Sequence, residues 1–373
     1  MFDITFTEIT PVAFFYCFFI FLLTYFVGVK QVSFSPYGVK SAGGKYLLYS
    51  LLFIILMTAF NNTDYFSYLA LTRMTVGHDT PHLEDVYGYI IEFCGYNYLL
   101  FRTVVWGGAL LIVGLSTRLA KVSTPHVLFL LFLFFFPTFD YARATLAMSI
   151  YFLGYVMISR EKQKGIWKLQ KLLGIGLIVT SYYFHKSMAG LIVLTPIIFL
   201  PLNKKTMWIL LISTPVVLLV IKAYLSNLLL TDFADADLAD LNKTFSQYTE
   251  RDDLGVANWK GMLSAIFAYG LFYVPLYYIS SSFLKSKEAS VLIQRLLKIT
   301  LAIMLICHSM YLLGDQSYSL YYRYLYMSMI PMSMLLVAQF EEGGINNITM
   351  NKLIKIGFIC RVVLLLAASV RFI

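Results

Sequence analysis

Two arginines stand at positions where an apolar chain rarely places a charge. Arg143 opens the stretch RATLAMSIYFLGY and Arg323 lies in YYRYLY, so each is predicted in the first turn of an apolar helix. The N-terminal end of a helix already carries about half a positive charge, so a cation there is disfavoured unless an anion lies close by. Arginine and helix N-termini both suit phosphate oxygens. The pair therefore predicts an anion site.

Other ionisable side chains are predicted at the same level of the chain. A charge at the centre of a membrane helix costs about 2.5–3.5 kcal/mol, so such groups usually face the protein interior or a water-filled cavity. Their gathering at one level predicts a polar cavity that opens to the outer side of the membrane. The further members are Asp64, His185, Lys186 and Asp315.

Each member also has a structural explanation when it is taken alone. Arg143 could pair with Asp140 three residues away or extend to lipid headgroups. Arg323 could anchor an aromatic belt at the membrane interface. Asp64 could cap a helix and His185 could be structural. Because each explanation must hold separately, the joint pattern favours a site.

The elements that must position these residues are apolar helices. The chain has 373 residues, of which 59% are hydrophobic and 13% charged, and its mean hydropathy is +0.74. A soluble domain is about half apolar and a quarter charged. Runs near the ~20 residues that cross a bilayer recur along the chain, which predicts an all-α polytopic membrane protein of about twelve spans in one domain, 1–373. The predicted spans are 11–29, 46–60, 103–117, 126–137, 140–159, 172–184, 187–201, 206–224, 260–283, 299–313, 321–340 and 353–372.

Basic residues gather in alternate links, so the net charge of +9 indicates membrane topology rather than nucleic-acid binding. This pattern puts both termini outside, together with the two longest links, 61–102 and the acidic 225–259. Within the first, 87–101 is predicted as an amphipathic, interfacial or re-entrant helix. The basic links are 30–45, 118–121, 160–171, 204–205 and 285–298.

No metal or cofactor is predicted. His78 and His82 are four residues apart, but Pro81 breaks any helix that would align them. Asp235 and Asp237 form a pair like that of nucleotide-sugar transferases, yet they lie in an outward loop, where nucleotide sugars are absent. The four cysteines form no ligand cluster, and phosphate-loop, dinucleotide and GxSxG motifs are missing from the sequence.

Four motifs, in order, resemble the EpsG-like group of polysaccharide polymerases, which are related in role to the Wzy polymerases of O-antigen and capsule. The resemblance covers about 60 to 340. It implies a GT-C-like glycosyltransferase of the bacterial cytoplasmic (inner) membrane, with its active site on the outer, periplasmic face. The motifs are DYFSYL from Asp64, RATLAMSIYFLGY from Arg143, YYFHKSMAGLIVL from Tyr182 and YYRYLYMSMIPM from Tyr321.

The resemblance also implies the reaction. Oligosaccharide repeat units carried on undecaprenyl diphosphate would be joined into a chain, with the lipid diphosphate as leaving group. The implied partners are these lipid-linked units, the growing polymer, membrane lipids and a chain-length regulator, without nucleic acid. Arg143 and Arg323 would hold the diphosphate, assisted by Lys186 or Arg73, so that no divalent metal is required.

The acceptor hydroxyl needs a base or an orienting acceptor. We expect His185 in that role, with Asp64 holding a sugar hydroxyl or orienting an arginine, although the two roles could be exchanged. The residues expected to contact sugars are Tyr65, Tyr183, Tyr322, Asp140 and Asp315.

Other functions fit the same composition. A glycan ligase would share the outer anion site and differ only in its acceptor. A lipid-oligosaccharide flippase or secondary transporter also has about twelve spans, but transporters place charged sites near the bilayer midplane. A structural membrane scaffold would not explain two arginines at helix N-termini.

Overall fold

The computed structural model describes residues 85–135, 142–160, 167–201, 203, 274–276, 278–279, 290–312 and 325–370. The regular structure of these ranges is helical throughout, which confirms the all-α prediction. The helices are α1 (Asp85–Phe93), α2 (Tyr98–Ala120), α3 (Thr124–Phe135), α4 (Ala142–Ser159), α5 (Trp167–Phe184), α6 (Met188–Leu194), the 3-10 helix Thr195–Phe199, α7 (Val291–Leu312), α8 (Met329–Glu341) and α9 (Asn347–Val370).

The predicted spans between 103 and 201 and between 299 and 372 coincide with these helices, apart from shifts of several residues at their ends. Within the described ranges, α2 is long and apolar enough to cross a membrane, over Leu100–Ala120 with a mean hydropathy of 1.6. Shorter apolar helical segments cover Arg143–Ser159, Met188–Phe199 and Leu325–Glu341. The predicted spans 11–29, 46–60, 206–224 and most of 260–283, and the loop 225–259, lie outside the described residues.

The stretch 87–101 divides between two helices. Gly95 and Tyr96 both adopt the left-handed conformation, with φ of 58° each, and this ends α1. The N–H of Tyr96 donates to the carbonyl of Ile91, as in a common helix-ending motif. The side chain of Asn97 then accepts a hydrogen bond of 3.0 Å from the N–H of Leu100 and caps α2. The turn at Gly95 and Tyr96 and the cap at Asn97 are therefore the local reasons for the break.

Helix α4 lies at the centre of the described bundle. Most of its side chains are buried on every side, including Tyr151, Phe152 and Tyr155. It packs against α2 on one flank and α5 on the other. At the second contact two glycines meet, because a Cβ atom added to Gly154 would lie 2.5 Å from the backbone oxygen of Gly174. Small residues at a helix crossing allow such close approach of two backbones.

Helix α8 forms a second buried element. Every residue from Met329 to Phe340 is buried. It packs against α7 and α3, and α9 packs against α3. A helix that is apolar on all sides belongs in the interior of a large protein or a membrane bundle. The two helices α4 and α8 are thus each enclosed by the other helices of the bundle.

One end of the bundle, here called the Arg295 end, contains the end of α4, the end of the 3-10 helix and the start of α7. Arg295 donates from Nη1 to the backbone oxygen of Ser159 at 2.7 Å, where α4 ends. Lys298 donates from Nζ to the backbone oxygen of Ile198 at 3.1 Å, in the 3-10 helix. The last carbonyls of a helix lack partners within it and attract cations. The end of α4, the end of the 3-10 helix and the start of α7 therefore lie together at this end of the bundle.

Candidate functional site

The opposite end of the bundle, here called the Arg143 end, contains the starts of α2 and α4 and the end of α5. Arg143 is the second residue of α4 and is partly buried. Its guanidinium carbon lies 5.9 Å from the ring centre of Tyr87 on α1. The hydroxyl of Tyr87 donates to the backbone oxygen of Arg143 at 3.1 Å. One tyrosine thus contacts both the backbone and the side chain of Arg143.

The ring of Tyr87 also contacts the other two helices at this end. It packs edge-to-face against Phe184, with ring centres 6.2 Å apart, and against Phe101, at 6.4 Å. Phe184 is the last residue of α5 and directly precedes His185. The structure therefore brings Arg143 and the turn that carries His185 to the same end of the bundle, through Tyr87.

His185 lies in the turn between α5 and α6 and is partly buried. The backbone N–H of Ser187 donates to its Nδ1 at 3.4 Å, and the hydroxyl oxygen of Ser187 lies 3.2 Å from the same atom. A backbone N–H can only donate, so Nδ1 accepts in this contact, which favours the neutral tautomer with the proton on Nε2. In this form the ring offers a hydrogen-bond donor at Nε2.

Lys186 and Tyr183 face a different environment. Lys186 is exposed, and 67% of the Tyr183 side chain is accessible. The buried stripe of α5 runs through Gly174, Ile178 and Ser181, whereas Tyr183 is exposed like Leu172 and Val179. Tyr183 therefore lies at the end of an exposed apolar stripe, away from the side of α5 that packs on α4.

The remaining predicted site residues lie outside the described residues. They are Asp64, Tyr65, Arg73, Asp140, Asp315, Tyr322 and Arg323. Of the predicted pair of arginines, the structure thus describes Arg143. Within the described ranges, no group of three or more His, Cys, Asp or Glu side chains could hold a metal ion.

Arg102 is a residue of this end that the sequence analysis did not select. Its side chain is only 3% exposed, and its Nη1 donates to the hydroxyl of Tyr98 at 2.6 Å. A Cβ atom added to Gly108 would lie 3.6 Å from the side chain of Leu146, so Gly108 on α2 and Leu146 on α4 lie at about the same level of the bundle. A helix rises 1.5 Å per residue, so Arg102 lies about 9 Å from that contact toward the Arg143 end, and Arg143 lies about 4.5 Å from it in the same direction. The two arginines are therefore within about one helical turn of the same level.

A local signal for Arg102 was present. It is the one charge in the run YLLFRTVVWGGALLIVG, but a span predicted to begin at residue 103 leaves it in the preceding loop. Tyr87 had no comparable signal, because it is one of 28 tyrosines and its contacts are distant in sequence.

The EpsG family model matches residues 44–373. The chain belongs to the EpsG family. This confirms the resemblance seen in the motifs and identifies a membrane-associated protein of a family linked to exopolysaccharide biosynthesis. No curated protein and no solved structure matches the chain.

Proposed function

We propose that this EpsG-family protein polymerises oligosaccharide repeat units carried on undecaprenyl diphosphate, at the outer face of the cytoplasmic membrane of a bacterium. The observation that carries the proposal is the position of Arg143. A cation opens α4, one of the two buried helices, at the end of the bundle that also holds Arg102 and His185. Such an arrangement suits a substrate with a large negative charge and an apolar tail.

The reaction transfers a glycan between two lipid-linked substrates. The bond between the anomeric carbon of the growing chain and its diphosphate oxygen breaks, and a bond to a hydroxyl oxygen of the incoming unit forms. The diphosphate leaves with the bonding electron pair, so negative charge develops on its oxygens. Preorganised cations stabilise that charge in a site that excludes water. Arg143 and Arg323 supply this stabilisation, with Lys186 or Arg73 assisting.

The proton of the acceptor hydroxyl passes to a base, for which Asp64 and His185 are the two candidates. With its proton on Nε2, His185 donates a hydrogen bond and suits a diphosphate oxygen. To act as base it accepts the proton on Nδ1, which requires the N–H of Ser187 to give up its contact. The geometry of the turn therefore suits donation by His185 as it stands, and base catalysis by His185 once this contact is lost; Asp64 is the other candidate base.

The proposed architecture is GT-C-like, with about twelve spans and a cavity open outward and sideways to the lipid. The sideways opening lets both prenyl tails remain in the bilayer during transfer. The sugar-binding surface consists of Tyr65, Tyr322, Asp140 and Asp315 around this cavity. Tyr183 reaches a glycan only along the exposed side of α5.

Arg143→Ala tests the proposal in cells. The lipid-linked and polymeric glycans are separated on gels and compared with those of wild type, a deletion strain and Arg118→Ala, with membrane expression measured in each. Arg118 is the matched control, because it is an exposed arginine in the last turn of α2, far from the Arg143 end. Loss of polymer with single units accumulating on the outer face supports the polymerase.

Three other outcomes contradict the proposal. Normal polymer in Arg143→Ala would make Arg143 a structural residue. Units trapped on the inner face of the deletion strain would identify a flippase. Full-length polymer that stays on its lipid carrier would identify a ligase.

A further inference from the structure

We propose that Tyr87 is the positioning residue of the transfer site, which fixes the direction of the Arg143 side chain and its distance from the His185 turn. This inference rests on the proposed polymerase function, because Tyr87 acts only through the residues that the function uses. Tyr87 lies on α1, in the stretch 87–101 that the sequence predicts as an amphipathic, interfacial or re-entrant helix.

The contacts of Tyr87 point to this role. Its side chain is fully buried, at 0% exposure, so it cannot touch a substrate directly. The hydroxyl holds the first turn of α4 through the backbone of Arg143, and the ring lies under the guanidinium. Cations are attracted to the face of an aromatic ring, so the ring favours one direction of the arginine side chain.

The same ring sets the spacing of the neighbouring helices. Its contacts with Phe184 and Phe101 are nearly perpendicular, at 89° and 79°. These edge-to-face contacts place the last residue of α5 and the first turn of α2 around one side chain. Removing the ring frees three helix ends at once, and misplacement of about 1 Å at a catalytic group costs on the order of 10²-fold in rate.

Tyr155 provides a matched control within the same bundle. It is also fully buried, and its hydroxyl also donates to a distant backbone oxygen, that of Arg295, at 2.8 Å. Its contacts lie toward the Arg295 end of α4. Tyr155→Leu therefore removes a comparable side chain from the core without touching Arg143.

The experiment uses the full-length protein in liposomes, with purified lipid-linked repeat units as substrate and variants Tyr87→Leu, Tyr87→Phe and Tyr155→Leu. For Tyr87→Leu we expect kcat to fall about 10- to 100-fold, with KM within about threefold of wild type. Tyr87→Phe keeps the ring and should retain most of the activity. Tyr155→Leu should lower thermal stability while kcat per folded protein stays within about threefold.

A double variant separates positioning from general packing. If Tyr87 acts through Arg143, Tyr87→Leu should cause little further loss of kcat in an Arg143→Ala background, because the two residues form one unit. Where Tyr87→Leu accumulates poorly, Tyr87→Met removes the ring face with an unbranched, flexible side chain that fills irregular gaps, and it serves the same test.

The results that overturn the inference differ from those that overturn the function. If wild type polymerises and Tyr87→Leu matches Tyr155→Leu in kcat, Tyr87 only fills the core. If the fold-losses of kcat in Tyr87→Leu and Arg143→Ala multiplied fully in the double variant, the two residues would act independently, which would also refute positioning. If wild type makes no polymer from lipid-linked units, the proposed function fails first and the role of Tyr87 fails with it.

Discussion

The guanidinium of Arg295 donates a hydrogen bond of 2.7 Å to the backbone oxygen of Ser159, at the end of α4 opposite Arg143. A second contact, from the hydroxyl of Tyr155 to the backbone oxygen of Arg295 at 2.8 Å, ties the same two helices. Helix α4 is therefore held by polar contacts at both of its ends, by α7 at one and by α1 at the other.

Replacing Arg295 should loosen the bundle without altering the chemistry. A cation at a helix C-terminus contributes about 0.3–1 kcal/mol, up to ~2 when partly buried, and a hydrogen bond from a charged group contributes about 1.5–3 kcal/mol. We expect Arg295→Ala to lower the midpoint of thermal inactivation in detergent, and Arg295→Lys to lower it less. Arg118→Ala is the control with an exposed arginine, and an equal shift in both alanine variants would contradict this role.

The crossing of α4 and α5 predicts a contrast between two glycines. Gly154→Ala places a methyl group against the backbone of Gly174, which cannot move aside as a flexible side chain would. Overpacking of this kind costs about 1–3 kcal/mol. Gly176 has nothing within 4 Å of an added Cβ, so Gly176→Ala should leave stability unchanged or slightly higher. Thermal inactivation of the two purified variants measures this contrast. A loss of stability in Gly176→Ala comparable to that in Gly154→Ala would contradict it.

Arg102 should matter for activity more than an exposed arginine does. It is buried near the level of Arg143, so its charge raises the local potential for an anionic substrate. We expect Arg102→Gln to reduce polymer at least tenfold at normal expression, since glutamine keeps a hydrogen-bond donor for the Tyr98 hydroxyl and loses the charge. The glycan gel described for Arg143 measures the effect, and unchanged polymer would limit Arg102 to a structural role.

The roles of His185 and Asp64 can be separated by the dependence of rate on pH. If His185 is the base, its imidazole must be neutral, so the rate falls on the acidic side and His185→Gln removes that limb of the profile. If His185 donates to the diphosphate instead, Asp64→Asn should abolish transfer and His185→Gln should only reduce it. Rates in liposomes between about pH 5 and 8 distinguish the two assignments. Equal and full activity of both variants would exclude both residues.

Hydropathy predicted the local features of the fold well. The helix predicted at 140–159 is observed over Ala142–Ser159, and Arg143 is in its first turn as expected. These features depend on residues that are close in sequence, and hydropathy averaged over a short window of sequence detects them. The capping of α2 by Asn97 is likewise local, and the glycine and asparagine at 95 and 97 signal it.

The contacts that assemble the site were beyond such patterns. Tyr87 meets Arg143 across 56 residues, and Arg295 meets Ser159 across 136. No periodicity in a single sequence pairs residues at such separations. Arg102 was missed for a different reason, because a span boundary that is off by a few residues turns a buried charge into a loop residue.

The burial of α4 has a consequence for how the depth of Arg143 is set. The 18 residues of α4 extend over about 27 Å, and neighbouring helices enclose most of its side chains. Polar contacts fix both of its ends, to α7 at one and to α1 at the other. A helix that is enclosed in this way takes its position from protein contacts. The level of Arg143 is therefore fixed relative to the other helices, and its depth follows that of the bundle as a whole.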